Sequence, residues 1–165
     1  MKPEQIIVNT LAKLKIPVKA FPWIIGQSAH ETATKKGPFT SPVFISNNNL
    51  FGMKYPRRRK TTAISPGTLP PSGEGPTPYA KYKNLEDSVA DLVLWLRYNR
   101  IAWEDINSEQ EYASFLFRKG YFGDTLQTYI KGIRYWISKI KIPQPIIIGV
   151  PVFILGAMLL YILSK

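Results

Sequence analysis

The chain has 165 residues and 45% hydrophobic content, the size of one ordinary domain with ample apolar surface for a core. It contains no Cys and a single His, His30, so disulfide staples, thiolate zinc sites, Cys nucleophiles and His clusters are excluded, and any chemistry runs on carboxylates, hydroxyls and amides. The net charge of +11 is concentrated early: residues 1–60 hold 11 Lys and Arg against Glu4 and Glu31, which suggests an anionic partner without choosing among nucleic acid, lipid and cell-envelope polymer.

Pro3 suits a helix start, and Ile7, Leu11 and Leu14 repeat at helical spacing as far as Pro17. A second helix is predicted from Trp23 to Thr32, closed by Gly37 and Pro38, with Gly26 allowing close approach. Short strands are predicted at Met53–Lys54, Thr61–Ile64 and Tyr79–Lys83, around the basic run Arg57–Lys60. Ser65–Pro78 holds five Pro and three Gly in 14 residues, a stiff irregular loop of a length usually tied to function. Asn84 caps a helix running to about Tyr98 with Leu85, Val89, Leu92, Val93 and Leu96 as its stripe. Ser108 and Glu111 form a capping box for a helix ending at Arg118–Gly120, and Asp124 is expected to cap a last helix from Thr125 to about Ile140. The expected architecture is α+β, mostly helical with a small β-hairpin lobe.

Residues 146–163 form an uncharged run that would span about 27 Å as a helix. Residues 142–165 are therefore expected to form a C-terminal transmembrane anchor inserted in a lipid bilayer, with residues 1–141 as the folded domain. The N-terminus lacks an apolar signal region, and Lys131, Arg134, Lys139 and Lys141 precede the span, an arrangement that keeps the domain on the side of synthesis.

Glu31 is an isolated carboxylate at the end of an apolar helix, in the most basic third of the chain. Burial and the negative end of the helix dipole favour its protonated form, whereas Lys35 and Lys36 oppose it. If burial wins, Glu31 is a general acid able to protonate a glycosidic oxygen; if not, it is an exposed helix-end Glu. His30 points about 100° away around the helix and reads as a packing side chain. From residues alone, Asn47–Asn49 reads as a turn, and Phe51 and Tyr82 as core.

The order of segments adds more. Gln27-Ser-Ala-His-Glu31-Thr, then Phe39–Phe44, then Asn47-Asn-Asn-Leu-Phe-Gly-Met-Lys54 resembles the peptidoglycan glucosaminidases of glycoside hydrolase family 73. Tyr79–Tyr82 leading into Leu85–Val89, and Gly120-Tyr-Phe-Gly-Asp124 with Tyr129, are similar to further family segments, so the likeness covers about residues 5–140. The resemblance implies a lysozyme-like fold and cleavage of the β-1,4 bond after N-acetylglucosamine, with no cofactor and no metal. It implies Glu31 as catalytic acid and Tyr121 in the same site, with Gln27, Asn48, Asn49, Phe51 and Tyr82 as substrate contacts on a glycan strand. Glu74, in the Pro-Gly loop, is the candidate second carboxylate; the substrate's own acetamido group is the alternative.

A lytic transglycosylase using the same Glu31 remains open. So does a non-enzymatic virion structural protein with a basic lipid- or nucleic-acid-binding face, although the motif order favours the enzyme and no specific nucleic acid is expected. An inward-facing domain acting on an external wall suggests a phage or virion-associated lysin, with a cellular tail-anchored enzyme as the alternative. The lysin would be held at a virion's internal membrane or the host inner membrane, beside other virion proteins.

Overall fold

The computed structural model describes residues 1–71 and 75–145. These are mostly helical, with one two-stranded antiparallel sheet, so the α+β expectation holds at that level. Helices α1 (Pro3–Lys13), α2 (Phe21–Thr32), α4 (Leu85–Tyr98), α5 (Glu109–Arg118) and α6 (Leu126–Lys139) match the predicted segments within a few residues, and a short α3 (Pro42–Asn47) is added. Among the described residues no helix is long and apolar enough to cross a membrane; the anchor expected at 146–163 lies outside them.

α2 is the central element because it is apolar nearly all round, and a helix without a polar face has to be enclosed. Phe21, Trp23, Ile24, Ile25 and Ala29 are buried, and so are Gln27, Ser28 and Thr32. It packs most extensively on α6, where Gly26 permits the approach: a Cβ there would lie 2.8 Å from Ile137 Cγ1 and 2.9 Å from the Ile133 carbonyl. α1 packs on α4, and α5 closes over α6. Tyr112 of α5 stands between Trp23 and Trp103, with ring centroids 6.2 and 6.1 Å away.

The helix termini follow local chemistry. Asn84, Ser108 and Thr125 each accept a hydrogen bond from the backbone N–H three residues on. Thr125 is thus the cap of α6 in place of the expected Asp124, whose Oδ1 accepts from the Thr125 N–H at 2.6 Å. α3 starts the same way, with the Ser41 hydroxyl accepting from Phe44 N and Pro42 in the first turn.

The β-lobe is smaller than expected and shifted along the chain. Strands β1 (Ser65–Pro66) and β2 (Ala80–Lys81) pair with Ser65 opposite Lys81 and Pro66 opposite Ala80. Met53–Lys54 contributes a single bridge from Lys54 to Tyr79, and Thr61–Ile64 is not a strand. The pairing that forms is the one the Asn47–Met53 turn supports. The Tyr82 N–H donates to the Asn47 carbonyl at 2.9 Å and the Ala80 N–H to the Met53 carbonyl at 2.8 Å, fixing β2 beside the turn and leaving Ser65–Pro66 as its free-edge partner.

Candidate active site

Glu31 sits in the last turn of α2, partly exposed, at a cleft of about 960 Å³. One wall is α3 and the Pro-rich loop, through Ser41–Val43 and Thr68–Pro71; the other is Tyr121–Gly123, between α5 and α6. Among the described residues Glu31 is the acidic side chain of this lining. The loop after α2 is held close: the Thr32 carbonyl accepts from the N–H groups of Thr40 and Ser41, and the Thr32 hydroxyl from the Phe39 N–H at 3.2 Å.

Two phenols arrange the carboxyl. The Tyr129 hydroxyl, from α6, donates to Glu31 Oε1 at 2.5 Å. Its ring lies flat on Phe122 with centroids 3.6 Å apart and meets the edge of His30 at 5.1 Å. Burial first, then the charge of Glu31, push the Tyr129 phenol well above its ordinary pKa, so it stays a donor. The Tyr121 phenol is raised for the same two reasons, and its hydroxyl donates to the Phe51 carbonyl at 2.5 Å. That bond fixes the backbone at Gly52, whose φ of +61° suits glycine. A Cβ at Gly52 would come within 3.0 Å of Glu31 Oε2, so the missing side chain also leaves room for the carboxyl.

His30 is a packing side chain, as expected. Burial lowers its pKa, with Asp124 opposing, and a Cβ at Gly132 would collide with its ring.

Of the residues implied as substrate contacts, the structure brings few to the cleft. Gln27 is fully buried and its Oε1 accepts from the Tyr112 hydroxyl at 2.6 Å, so it serves the α2–α5 packing and presents no surface to a sugar. Asn49 is also fully buried: its Nδ2 donates to the carbonyls of Met53 and Ala80, both at 2.9 Å, and its Oδ1 accepts from the N–H groups of Phe51 and Met53. Asn48 ends α3 with a left-handed φ of 52°, and its amide donates to the carbonyls of Tyr82 and Lys83.

Phe51 and Tyr82 are core side chains. Phe51 nonetheless borders the cleft, and the Tyr82 hydroxyl donates to buried Asp91 at 2.7 Å. The Asn-rich turn is therefore scaffolding: it shapes the peptide that carries Gly52 past Glu31. Glu74 lies outside the described residues.

Tyr129 has the contact with Glu31 that sequence spacing could not assign, since the two are 98 residues apart. Its signals were its place with Gly120–Asp124 in the family resemblance and an aromatic position on the buried face of a capped helix. The contribution of α3 to the cleft wall had a clearer sign in Ser41-Pro42, a cap residue followed by Pro.

The family model for glucosaminidases, described as mannosyl-glycoprotein endo-β-N-acetylglucosaminidase, matches residues 7–142. No curated protein and no solved structure matches the chain. The matched stretch runs from within α1 past the end of α6 and so includes Glu31, Gly52, Tyr121 and Tyr129. The chain belongs to the glucosaminidase family and is a glycoside hydrolase acting on peptidoglycan.

Proposed function

We propose that Glu31 is the general acid for cleavage of the β-1,4 bond after N-acetylglucosamine in a peptidoglycan strand lying in the cleft, in a lysozyme-like arrangement. The supporting observation is the placement of its carboxyl at the cleft, held by the Tyr129 phenol and passed closely by Gly52. As the C1–O bond breaks, the Glu31 proton goes to the leaving oxygen, and a nucleophile meets the oxocarbenium-like carbon from the other face. The test is digestion of purified cell walls by wild type, Glu31→Gln and Glu74→Gln. Loss in the first alone excludes Glu74 and leaves a one-carboxylate route, by hydrolysis with the substrate's acetamido group or by transglycosylation, and loss in both supports Glu74 as second carboxylate. Retained activity in Glu31→Gln rejects the proposal.

Tyr129 acts as a positioning residue. Removing its hydroxyl in Tyr129→Phe leaves the stack on Phe122 possible but ends the hydrogen bond to Oε1. The expected result is a fall in kcat of about 10-fold with KM nearly unchanged, because the bond orients the acid and does not contact the sugar. A change in KM alone would place Tyr129 in substrate binding instead.

The same proposal takes residues 1–141 as the catalytic unit and 142–165 as a membrane anchor. Its support is the uncharged run 146–163 and the basic residues before it. Because that topology and the wall lie on opposite sides of a bilayer, we assign the enzyme to a virus that carries it on an internal lipid layer and uses it for wall penetration. The protein is expected in purified particles and in the alkali-resistant membrane fraction, from which deletion of 146–163 releases it. Absence from the particles defeats the viral role, and wild-type extraction by alkali defeats the anchor.

A further inference from the structure

The cleft does not end at Tyr121. A second cavity of about 580 Å³ adjoins it, and Gly52, Lys54 and Tyr121 line both. A strand held over Glu31 therefore meets this second cavity along its length.

The chemistry changes there. Arg57, Arg58 and Arg59 line the cavity together with Trp95 and Tyr98, and no acidic residue does so among the described residues. The three arginines have different environments. Arg59 turns inward, donating from Nη1 and Nη2 to the two oxygens of buried Asp91 at 2.6 and 2.8 Å. Arg57 and Arg58 are exposed, and neither forms an ion pair among the described residues. The segment is thus pinned to α4 at Arg59, with two guanidinium groups left at the cavity. Planar, permanently charged donors of this kind are suited to carboxylates, which they can hold with paired hydrogen bonds.

The glycan of peptidoglycan is largely uncharged, and its free carboxylates are on the peptide stems that branch from it. A cationic cavity continuing a glycan cleft is where such a stem would lie. We infer that the Arg57–Arg58 cavity binds the carboxylates of the peptide stem and makes the enzyme selective for stem-bearing strands; this rests on the reading of Glu31 as the acid of the adjoining cleft. The aromatic faces of Trp95 and Tyr98 would cover the apolar part of the stem, and the guanidinium groups its charge.

The experiment compares initial rates on two substrates: peptidoglycan freed of accessory anionic polymers, and the same strands after an amidase has removed the stems and the lactyl carboxylates so exposed have been converted to amides. Wild type is expected to prefer the stem-bearing strands, and the preference should shrink as salt is raised. Arg57→Gln with Arg58→Gln should lower kcat/KM on stem-bearing strands about 3- to 10-fold, the effect of losing two exposed ion pairs, and leave the stripped strands unaffected. Each single variant should give part of that loss, so the result does not depend on the fold of the double variant. An equal loss on both substrates, or no loss on either, overturns the inference while leaving Glu31 as the acid. Failure of wild type to cleave either substrate defeats the hydrolase proposal and this inference with it.

Discussion

Glu31→Gln is expected to abolish clearing of purified cell walls, with glycan cleavage slowed by about 10²- to 10⁴-fold, the range that a positioned general acid contributes. The substitution is chosen for what it preserves. Gln has nearly the volume of Glu, so the gap beside Gly52 stays filled, and its amide oxygen can still accept from the Tyr129 hydroxyl. What it lacks is a proton to give to a leaving alkoxide.

A purely structural Glu31, serving only to tie α2 to α6 through Tyr129, would tolerate that exchange with activity intact. The decisive pattern is therefore a large loss of rate together with a thermal midpoint close to wild type. Binding to stripped glycan strands should also survive, since the aromatic and main-chain surfaces of the cleft are untouched. A variant that clears walls at the wild-type rate would remove the catalytic role from Glu31.

The helical frame was legible because its signals are local. Stripe periodicity and caps located α4, α5 and α6 from a few residues each, and the apolar run of α2 marked it as an enclosed helix. The β-lobe was less legible. Thr61–Ile64 has strand-like residues, but the turn fixes one edge of Ala80–Lys81, and on the other edge the ladder begins only at the Ile64 N–H and continues through Ser65–Pro66.

For the site, the residues marked Glu31 at the end of an apolar helix and Asn47–Asn49 as a turn, whereas the family resemblance implied sugar contacts for amides that the structure places on backbone carbonyls. Asparagine amides suit a sugar and a tight turn equally well, and only the carbonyls within reach of Asn48 and Asn49 decide between those uses. The Tyr129–Glu31 and Arg59–Asp91 contacts join distant segments, so they emerge only from packing. Asp91 did leave a trace: it falls on the apolar stripe of α4, next to Leu92 and between Ser88 and Val93, where a charge needs a partner.

Asp91→Ala is expected to lower the stability of the fold by about 3–5 kcal/mol, a drop in thermal midpoint of roughly 10 °C. Asp91 is fully buried and accepts three hydrogen bonds, two from the Arg59 guanidinium and one from the Tyr82 hydroxyl. Burial alone would lower the Arg59 pKa, but the hydrogen bonds and charge of Asp91 more than offset it and leave the guanidinium more firmly protonated. Tyr82 is raised, by burial first and by Asp91 second, so both partners remain donors throughout the working pH range.

Deleting the carboxylate therefore leaves a cation and a phenol inside the protein without their acceptor, which is costlier than never having had the pair. Replacing both charges, as in Asp91→Leu with Arg59→Met, should recover much of the midpoint, because only the Tyr82 hydroxyl then lacks its acceptor. The two variants separate in function as well. If Arg59 is what holds Arg57 and Arg58 at the second cavity, the doubly apolar protein should be stable yet lose part of its preference for stem-bearing strands. A midpoint for Asp91→Ala within about 2 °C of wild type would mean that Arg59 is readily solvated, and that the basic segment is not held by this network.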